Sequence, residues 1–152
     1  MNFRRATAAD IPALMALERE ATTAAHWRQA DYDRVFDPIS PPRLCLVMED
    51  EAGIQGFLVA RNAGLEWELE NIIVAASARR RGIGKRLLAE LTVRATARGA
   101  QTVFLEVRES NLAARRLYEN ANFVESGRRK QYYREPAEDA ISYVLLLVSV
   151  PR

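Results

Sequence analysis

Four basic residues and two glycines are interleaved in the segment Arg79-Arg80-Arg81-Gly82-Ile83-Gly84-Lys85. The glycines let the backbone approach a ligand closely, because they carry no Cβ. The segment lies between an apolar run, residues 72–74, and an amphipathic run typical of a helix. It would therefore place the free N–H groups and the positive dipole end of that helix beside the ligand. The pattern predicts a site for a phosphorylated ligand, most simply a pyrophosphate.

Glu106 is the only charged residue within the strand-like run Val103-Phe104-Leu105-Glu106-Val107. A buried carboxylate holds a proton more readily than one in water, as a general base must. If the same side chain faces water on the open side of a sheet, it is ordinary surface charge. The sequence leaves both interpretations open.

Two residues after this run could also carry chemistry. The phenol of Tyr118 could donate a proton, or it could be a core tyrosine whose hydroxyl binds backbone. Asn111 could cap a helix, or its amide could bond a ligand. His26 and Cys45 are the single residues of their types, so we expect a loop histidine, a core cysteine and no metal site.

The elements that must position these residues alternate between strand and helix. The end of one strand, residues 72–74, is apolar on both faces, so we expect it to be deeply buried. Predicted strands cover residues 2–6, 44–48, 54–60, 65–74, 103–107, 123–133 and 140–150. Predicted helices begin after residue 10, lie within the polar stretch 26–36, cover residues 87–97 after the glycines, and cover residues 111–121. This order predicts an α/β fold, a mixed α+β sheet of about seven strands with helices on both faces.

Composition limits the kind of protein. A chain of 152 residues with 49% hydrophobic content is expected to form one domain, 1–152. The net charge of +2 gives no general attraction for nucleic acid, and a single cysteine suits a reducing compartment. No apolar run reaches membrane-spanning length, and no hydrophobic signal region follows the N-terminus. We expect a cytoplasmic protein with neither membrane nor nucleic-acid partners.

Four segments together resemble the GNAT N-acetyltransferase superfamily across nearly the whole chain. They are Arg79-Arg80-Arg81-Gly82-Ile83-Gly84, Leu105-Glu106-Val107-Arg108, Ser110-Asn111 and Leu117-Tyr118-Glu119. The first is similar to the family's acetyl-CoA signature of Arg or Gln, two free positions, Gly, one free position, and Gly or Ala. With Tyr132-Tyr133, these segments further resemble the bacterial ribosomal-protein-alanine N-acetyltransferases.

The resemblance implies the GNAT fold, acetyl-CoA as cosubstrate and no metal. Glu106 would be the general base and Tyr118 the general acid. The implied cofactor-binding residues are Ile72, Ile73, Val74, Arg79, Arg80, Arg81, Gly82, Ile83, Gly84, Lys85 and Asn111. Ala76 and Ala78 depart from the family, whose members commonly carry Pro and an aromatic residue there, and the region of His26-Trp27 matches only through the Trp.

The acceptor is less constrained than the donor. The resemblance implies the N-terminal α-amine of a protein, possibly a ribosomal protein; the alternatives are a lysine side chain or a small-molecule amine. A third alternative is a non-catalytic module that binds acyl-CoA or nucleic acid through its arginines. Glu66, Glu68 and Glu70 alternate along one strand, and we hypothesise that this acidic face attracts a basic N-terminal peptide.

Overall fold

The computed structural model describes residues 1–21 and 26–147. The strands are β1 (Asn2–Arg5), β2 (Arg43–Asp50), β3 (Gly53–Ala63), β4 (Glu66–Val74), β5 (Thr102–Arg108), β6 (Val124–Arg134) and β7 (Ala137–Leu146). The helices are α1 (Ile11–Glu20), α2 (Gln29–Phe36), α3 (Ile83–Ala97) and α4 (Leu112–Asn120), and single 3₁₀ turns occupy Ala8–Asp10 and Ala76–Ala78. Each predicted strand and helix is present, with bounds shifted by a few residues.

The seven strands form one sheet in the order β1-β2-β3-β4-β5-β7-β6. Neighbouring strands are antiparallel except for β4 and β5, which run parallel because α3 connects them across one face of the sheet. The described residues share one hydrophobic core. That residues 1–152 make a single domain stays a prediction, and residues 148–150 of the last predicted strand lie outside the described part.

Helices cover both faces of the sheet, as two adjacent residues of β3 demonstrate. A Cβ added to Gly56 would lie 3.0 Å from Ile83 Cγ2 of α3. The ring of the next residue, Phe57, packs edge-on against Tyr32 of α2, with 6.1 Å between ring centroids. Because successive strand residues point to opposite faces, α2 and α3 lie on opposite sides of the sheet.

Glycines mark both ends of α3. Gly82 precedes its first residue with φ of +73°, and Gly99 follows its last turn with φ of +87°, conformations that cost other residues steric strain. Between them, one apolar stripe of the helix is fully buried against the sheet: Ile83, Leu87, Leu91 and Ala95. The helix start is therefore fixed at the arginine-glycine segment.

The parallel pair β4 and β5 holds together over only three residues of each strand, from Glu66 opposite Thr102 to Glu68 opposite Phe104. Beyond this point no pairing joins the two strands, and a bulge skips Glu70 in the register with β3. The sheet therefore splits along the remainder of β4 and β5. The cavity described below lies in this split between β4 and β5.

The expectation that residues 72–74 are deeply buried was wrong for two of the three. Ile73 is 4% exposed and belongs to the core, whereas Ile72 and Val74 are only half-buried. These two side chains point to the face of the sheet that carries α3, beside the split, and both line the cavity there. Within the described part of the chain, no helix is long and apolar enough to cross a membrane.

Candidate active site

A cavity of about 680 Å³ fills the split between β4 and β5. Residues 68–74 of β4 form one wall, and residues 105–108 of β5 form the other. One end is closed by Arg79 and by residues 111–118 around the start of α4. The lining also includes the exposed or half-buried side chains of His26, Trp27, Tyr132 and Tyr133. The split thus forms a cleft that both strands and the start of α4 line.

The backbone of the arginine-glycine turn, residues 79–84, is shaped for an anion. Arg80 and Gly82 both have positive φ, +65° and +73°, and they turn the chain sharply into α3. The first helical hydrogen bond is donated by Arg86 to the Gly82 carbonyl. The N–H groups of residues 83–85 precede this bond, so they have no acceptor within the helix and can bind an anion.

The charges of this turn are also available to a ligand. Arg81 lies 3.8 Å from Asp50, and within the described ranges no acidic group lies within ion-pair distance of Arg79, Arg80 or Lys85. These donors suit a pyrophosphate. Of this turn the cavity reaches Arg79 only; residues 80–82 and Lys85 lie on the adjoining surface, whereas Ile83 and Gly84 are buried.

Gly84 brings the start of α3 against α4. A Cβ added there would lie 3.1 Å from Leu117 Cδ2 and 3.8 Å from Val74 Cγ2. Leu117 and Val74 both line the cleft. A residue without a side chain at position 84 therefore keeps this end of the cleft open.

Glu106 faces the cleft from β5. Its side chain is 13% exposed, between the two alternatives that the sequence left open. Oε2 lies 2.6 Å from Arg129 Nε and accepts a weak hydrogen bond of 3.4 Å from Ser142 Oγ. The carboxylate can thus meet a ligand in the cleft while neighbouring strands hold it.

Tyr118 also lines the cleft, and its ring is buried. Its ring centroid is 5.8 Å from that of Phe123 and 6.1 Å from that of Tyr143. Burial raises the pKa of the Tyr118 hydroxyl. Among the described residues none accepts a hydrogen bond from this hydroxyl. A phenol that keeps its proton, packs firmly and borders the cleft is suited to donate that proton.

Asn111 has both of the roles that the sequence allowed. Its side-chain oxygen accepts a hydrogen bond of 3.2 Å from Ala114 N–H, so it caps α4. It also lines the cleft. The cap fixes the first turn of α4, which carries the wall that ends at Tyr118.

The structure brings the predicted residues together around one cleft. Those that line the cavity are Ile72, Ile73, Val74, Arg79, Glu106, Asn111 and Tyr118. The remaining six predicted residues, 80–85, form the adjoining turn and helix start. Their assignment to cofactor binding and catalysis stays a prediction.

Sequence reasoning missed the charge balance on β4. Glu70 is paired with Arg43 at 2.7 Å, and Glu68 with Arg61 at 3.0 Å. The pKa of Glu68 is raised by burial first and by the negative charge of Glu70 second. Alternation predicted that these glutamates share a face, but the paired arginines lie on other strands, and no local pattern indicates them.

A second missed feature is a buried polar cluster between α1, α2 and β4. Tyr32 donates a hydrogen bond of 2.7 Å to Glu18 Oε1, and Asn71 Nδ2 donates one of 3.1 Å to the same oxygen. Asn71 lines the cleft, and Glu18 is 7% exposed. The cluster ties both N-terminal helices to the strand that forms one wall.

His26 borders the cleft, and Cys45 is a buried strand residue. The pKa of the Cys45 thiol is raised to about 12 by burial, which suits a core residue. In the ranges that the structure describes, no group of three or more His, Cys, Asp or Glu side chains could hold a metal ion.

The fold and the cleft together define a class of protein, a transferase that takes its acyl group from a coenzyme A thioester. The acetyltransferase (GNAT) family matches residues 11–123. The chain belongs to this family: it is an acetyl-CoA-dependent N-acetyltransferase. The resemblance read from the sequence, the mixed-sheet fold and the acetyl-CoA cosubstrate are thereby confirmed.

Known proteins that are similar to this chain are N-acetyltransferases too. A [ribosomal protein bS18]-alanine N-acetyltransferase of Salmonella typhimurium is 34% identical over 138 residues, 90% of each chain. The crystal structure of the ribosomal-protein-S18-alanine N-acetyltransferase from Escherichia coli matches with a TM-score of 0.86 at 28% identity, covering 99% of this chain and 96% of that one. The Arabidopsis thaliana NAA60 structure in complex with acetyl-CoA has a TM-score of 0.81 at 18% identity over 95% and 97% of the chains, a likeness of fold alone.

Proposed function

We propose that this enzyme acetylates the α-amine of a protein N-terminus, with an N-terminal alanine of a ribosomal protein as the acceptor. The observation that carries the proposal is that Glu106 and Tyr118 line one cleft, which the arginine-glycine turn adjoins at Arg79. The acceptor follows the names of the similar proteins, which are ribosomal-protein-alanine N-acetyltransferases.

Binding of the donor uses the turn and the exposed edge of β4. Residues 79–85 hold the pyrophosphate through backbone N–H groups and basic side chains. Residues 69–74 do not pair with β5. Their backbone groups on the edge toward β5 can therefore form hydrogen bonds with the amide groups and the thioester carbonyl of acetyl-CoA. The thioester supplies the acetyl group and a thiolate that leaves.

Catalysis needs a neutral amine, a polarised carbonyl and a protonated leaving group. Glu106 accepts the proton of the acceptor ammonium, directly or through one water. Backbone N–H of residues 72–74 polarises the carbonyl. The neutral amine attacks the carbonyl carbon, and the C–S bond breaks as the Tyr118 hydroxyl gives its proton to the leaving thiolate. The second proton of the acceptor nitrogen then returns to the phenolate. Burial keeps the proton on Tyr118 until the thiolate leaves.

The energetics favour an α-amine over a lysine. At pH 7, deprotonating an amine of pKa ~8 costs roughly 1.4 kcal/mol, whereas a lysine of pKa ~10.4 costs roughly 4.6 kcal/mol. A single carboxylate therefore has to supply roughly 3 kcal/mol less for the α-amine. With equal binding, this difference is on the order of a hundredfold in rate.

The acidic-face hypothesis needs revision as part of this proposal. Glu68 and Glu70 border the cleft, but each is paired with an arginine. Of these three glutamates, Glu66 alone is exposed and has no arginine partner among the described residues. The face would attract a basic peptide less strongly than three free carboxylates. Neutralising the three glutamates, with acceptor KM measured at two ionic strengths, tests how much attraction is left.

Acetyl-CoA consumption measured over three acceptors tests the proposal. The acceptors are a peptide with a free N-terminal alanine, the same peptide blocked at its N-terminus but carrying a lysine, and a polyamine. We expect kcat/KM for the free N-terminus to exceed both others by on the order of a hundredfold. Faster turnover of the lysine peptide or the polyamine would move the acceptor to that class. The blocked peptide without lysine gives the background hydrolysis rate.

A further inference from the structure

The side chain of Arg129 covers the candidate base. Its Nε lies 2.6 Å from Glu106 Oε2. The two partners differ in exposure, because the Arg129 side chain is 62% exposed and that of Glu106 only 13%. Arg129 thus reaches inward from the surface to a carboxylate that is almost enclosed.

The strand that carries Arg129 lets this side chain move. β6 is the edge strand of the sheet, and its pairing with β7 becomes irregular between Arg129 and Tyr133. Apart from Glu106, Arg129 contacts the ring of Tyr132, with its guanidinium carbon 5.3 Å from the ring centroid. An exposed guanidinium with one ion-pair partner can leave that partner without breaking the sheet.

The neighbouring Arg128 differs, although it has the same side chain. It makes two ion pairs, at 2.6 Å to Glu109 and at 2.7 Å to Asp139. Neither carboxylate lines the cleft. Arg128 fastens the hairpin, while Arg129 points to the other face of the strand and contacts Glu106.

Two carboxylates line the cleft from neighbouring strands, Glu68 on β4 and Glu106 on β5. Their charges interact, since the charge of Glu106 contributes to raising the pKa of Glu68. Arg61 offsets Glu68, at 3.0 Å. Arg129 is the cation at Glu106, and this is the position that the ammonium group of an acceptor needs to occupy.

We propose that Arg129 is a specificity-determining residue that takes the place of the acceptor ammonium beside Glu106 and is displaced when the acceptor binds. This rests on the proposed function, because it requires Glu106 to face the acceptor amine. A cation can exchange with the guanidinium and leave the charges of the cleft balanced. An uncharged ligand cannot, so it gains nothing from displacing Arg129.

Steady-state kinetics of the full-length R129Q variant test the exchange. Without the competing guanidinium, the KM for a free N-terminal peptide should fall by about two- to fivefold, the range of a partly exposed ion pair. The KM for acetyl-CoA and kcat should stay within about twofold of the wild type. The inhibition constant of the N-acetylated peptide, which carries no ammonium, should not change. R129K, which keeps the charge, should stay near the wild-type KM.

Each alternative role of Arg129 gives a different pattern of kinetic constants in R129Q. R128Q is the matched control, and its kinetic constants should equal those of the wild type. An arginine that merely blocks the cleft would strengthen binding of both the free and the acetylated peptide in R129Q. One that only supports the fold would weaken both and lower kcat. Either result overturns the exchange, as does an unchanged peptide KM.

E106Q in the same assay separates the two proposals. A wild-type kcat in E106Q would exclude Glu106 as the base. An inactive E106Q together with an unchanged R129Q would exclude only the proposed role of Arg129.

Discussion

Gly84 of α3 lies against Leu117 of α4 so closely that a Cβ at position 84 would stand 3.1 Å from Leu117 Cδ2. This contact packs the start of α3 against the lining of the cleft, since Leu117 and Val74 both line it. The cofactor signature thus fixes helix packing as well as the path of the backbone. A glycine is needed at this position because of its neighbour, since its own φ is not positive.

We expect G84A to weaken acetyl-CoA binding with little loss of stability. Alanine gains up to ~1 kcal/mol of helix propensity over glycine, which offsets the movement of Leu117. We expect Leu117 to move toward the cleft that it lines, so the KM for acetyl-CoA should rise on the order of tenfold, ~1.4 kcal/mol. Kinetics and urea denaturation measure the two effects. G127A is the control, because a Cβ at Gly127 meets nothing within 4 Å and its φ is not positive; equal behaviour of the two variants would contradict the argument.

We expect E106Q to lower kcat by about 10²–10⁴ while leaving the KM for acetyl-CoA unchanged. Glutamine keeps the shape of the side chain but cannot take the proton of an ammonium. Initial rates with saturating acetyl-CoA and the alanine peptide measure the loss. E109Q is the control, since Glu109 pairs with Arg128 outside the cleft and its loss should leave kcat unchanged. A kcat near the wild-type value in E106Q would exclude Glu106 as the base.

Local patterns predicted most of the fold, and they singled out residues that the structure brings together around one cleft. Alternation, glycine positions and the apolar stripe of α3 depend on residues close in sequence, and they located each strand and helix. The same reasoning failed for Ile72 and Val74, because their exposure depends on where β4 separates from β5. That point is set by pairing between strands, which no single segment encodes.

The charges around the cleft could not be predicted for the same reason. Arg129 meets Glu106 only because β7 lies between β5 and β6 in the sheet. Likewise, Arg43 and Arg61 reach the glutamates of β4 from other strands. The sequence predicts which residues are charged, and only the strand order determines which charges meet.

We expect Y118F to lower kcat by about 10² without changing stability. Its hydroxyl has no acceptor among the described residues, so removing it breaks no bond that supports the fold. Y143F is the opposite case. The Tyr143 hydroxyl donates to Glu119 at 2.6 Å and accepts from Arg115 at 3.0 Å, so its loss should cost ~1 kcal/mol of unfolding free energy and leave kcat near the wild type. If Y118F loses stability and keeps its rate, Tyr118 is a core residue only.

The pH dependence of kcat follows from the same hydroxyl. Burial raises the pKa of Tyr118, and the nearby Tyr133 adds to the effect. A raised pKa keeps the proton on the phenol to higher pH, so the acid should stay competent beyond the ordinary tyrosine value of ~10. With saturating substrates, kcat should therefore show no alkaline decline between about pH 7 and pH 10. A decline centred below pH ~9 that disappears in Y118F would contradict this assignment.

Stability at acid pH should depend on Asp10, which precedes α1. Arg4 donates to both carboxylate oxygens at 2.9 Å, and Thr7 N–H donates at 2.8 Å. The hydrogen bonds from Arg4 and then that from Thr7 lower the pKa of Asp10 against an opposing effect of burial. Because the pKa of Asp10 is lower in the folded state, ionised Asp10 stabilises the fold at pH values above its unfolded pKa of ~3.9. This stabilisation is lost as the pH falls from that value toward the folded pKa.

We therefore expect D10N to lower the free energy of unfolding at pH 7 by ~1–2 kcal/mol, a charged hydrogen bond discounted for the 35% exposure of Arg4. Urea unfolding between pH 7 and pH ~3 measures the gap between variant and wild type, which should narrow only below pH ~4, because the wild type alone takes up the proton. D33N, at an exposed position of α2, should show no gap at any pH. A D10N gap that stays constant down to pH ~3 would mean that the shape of the side chain stabilises the turn before α1 and its charge does not.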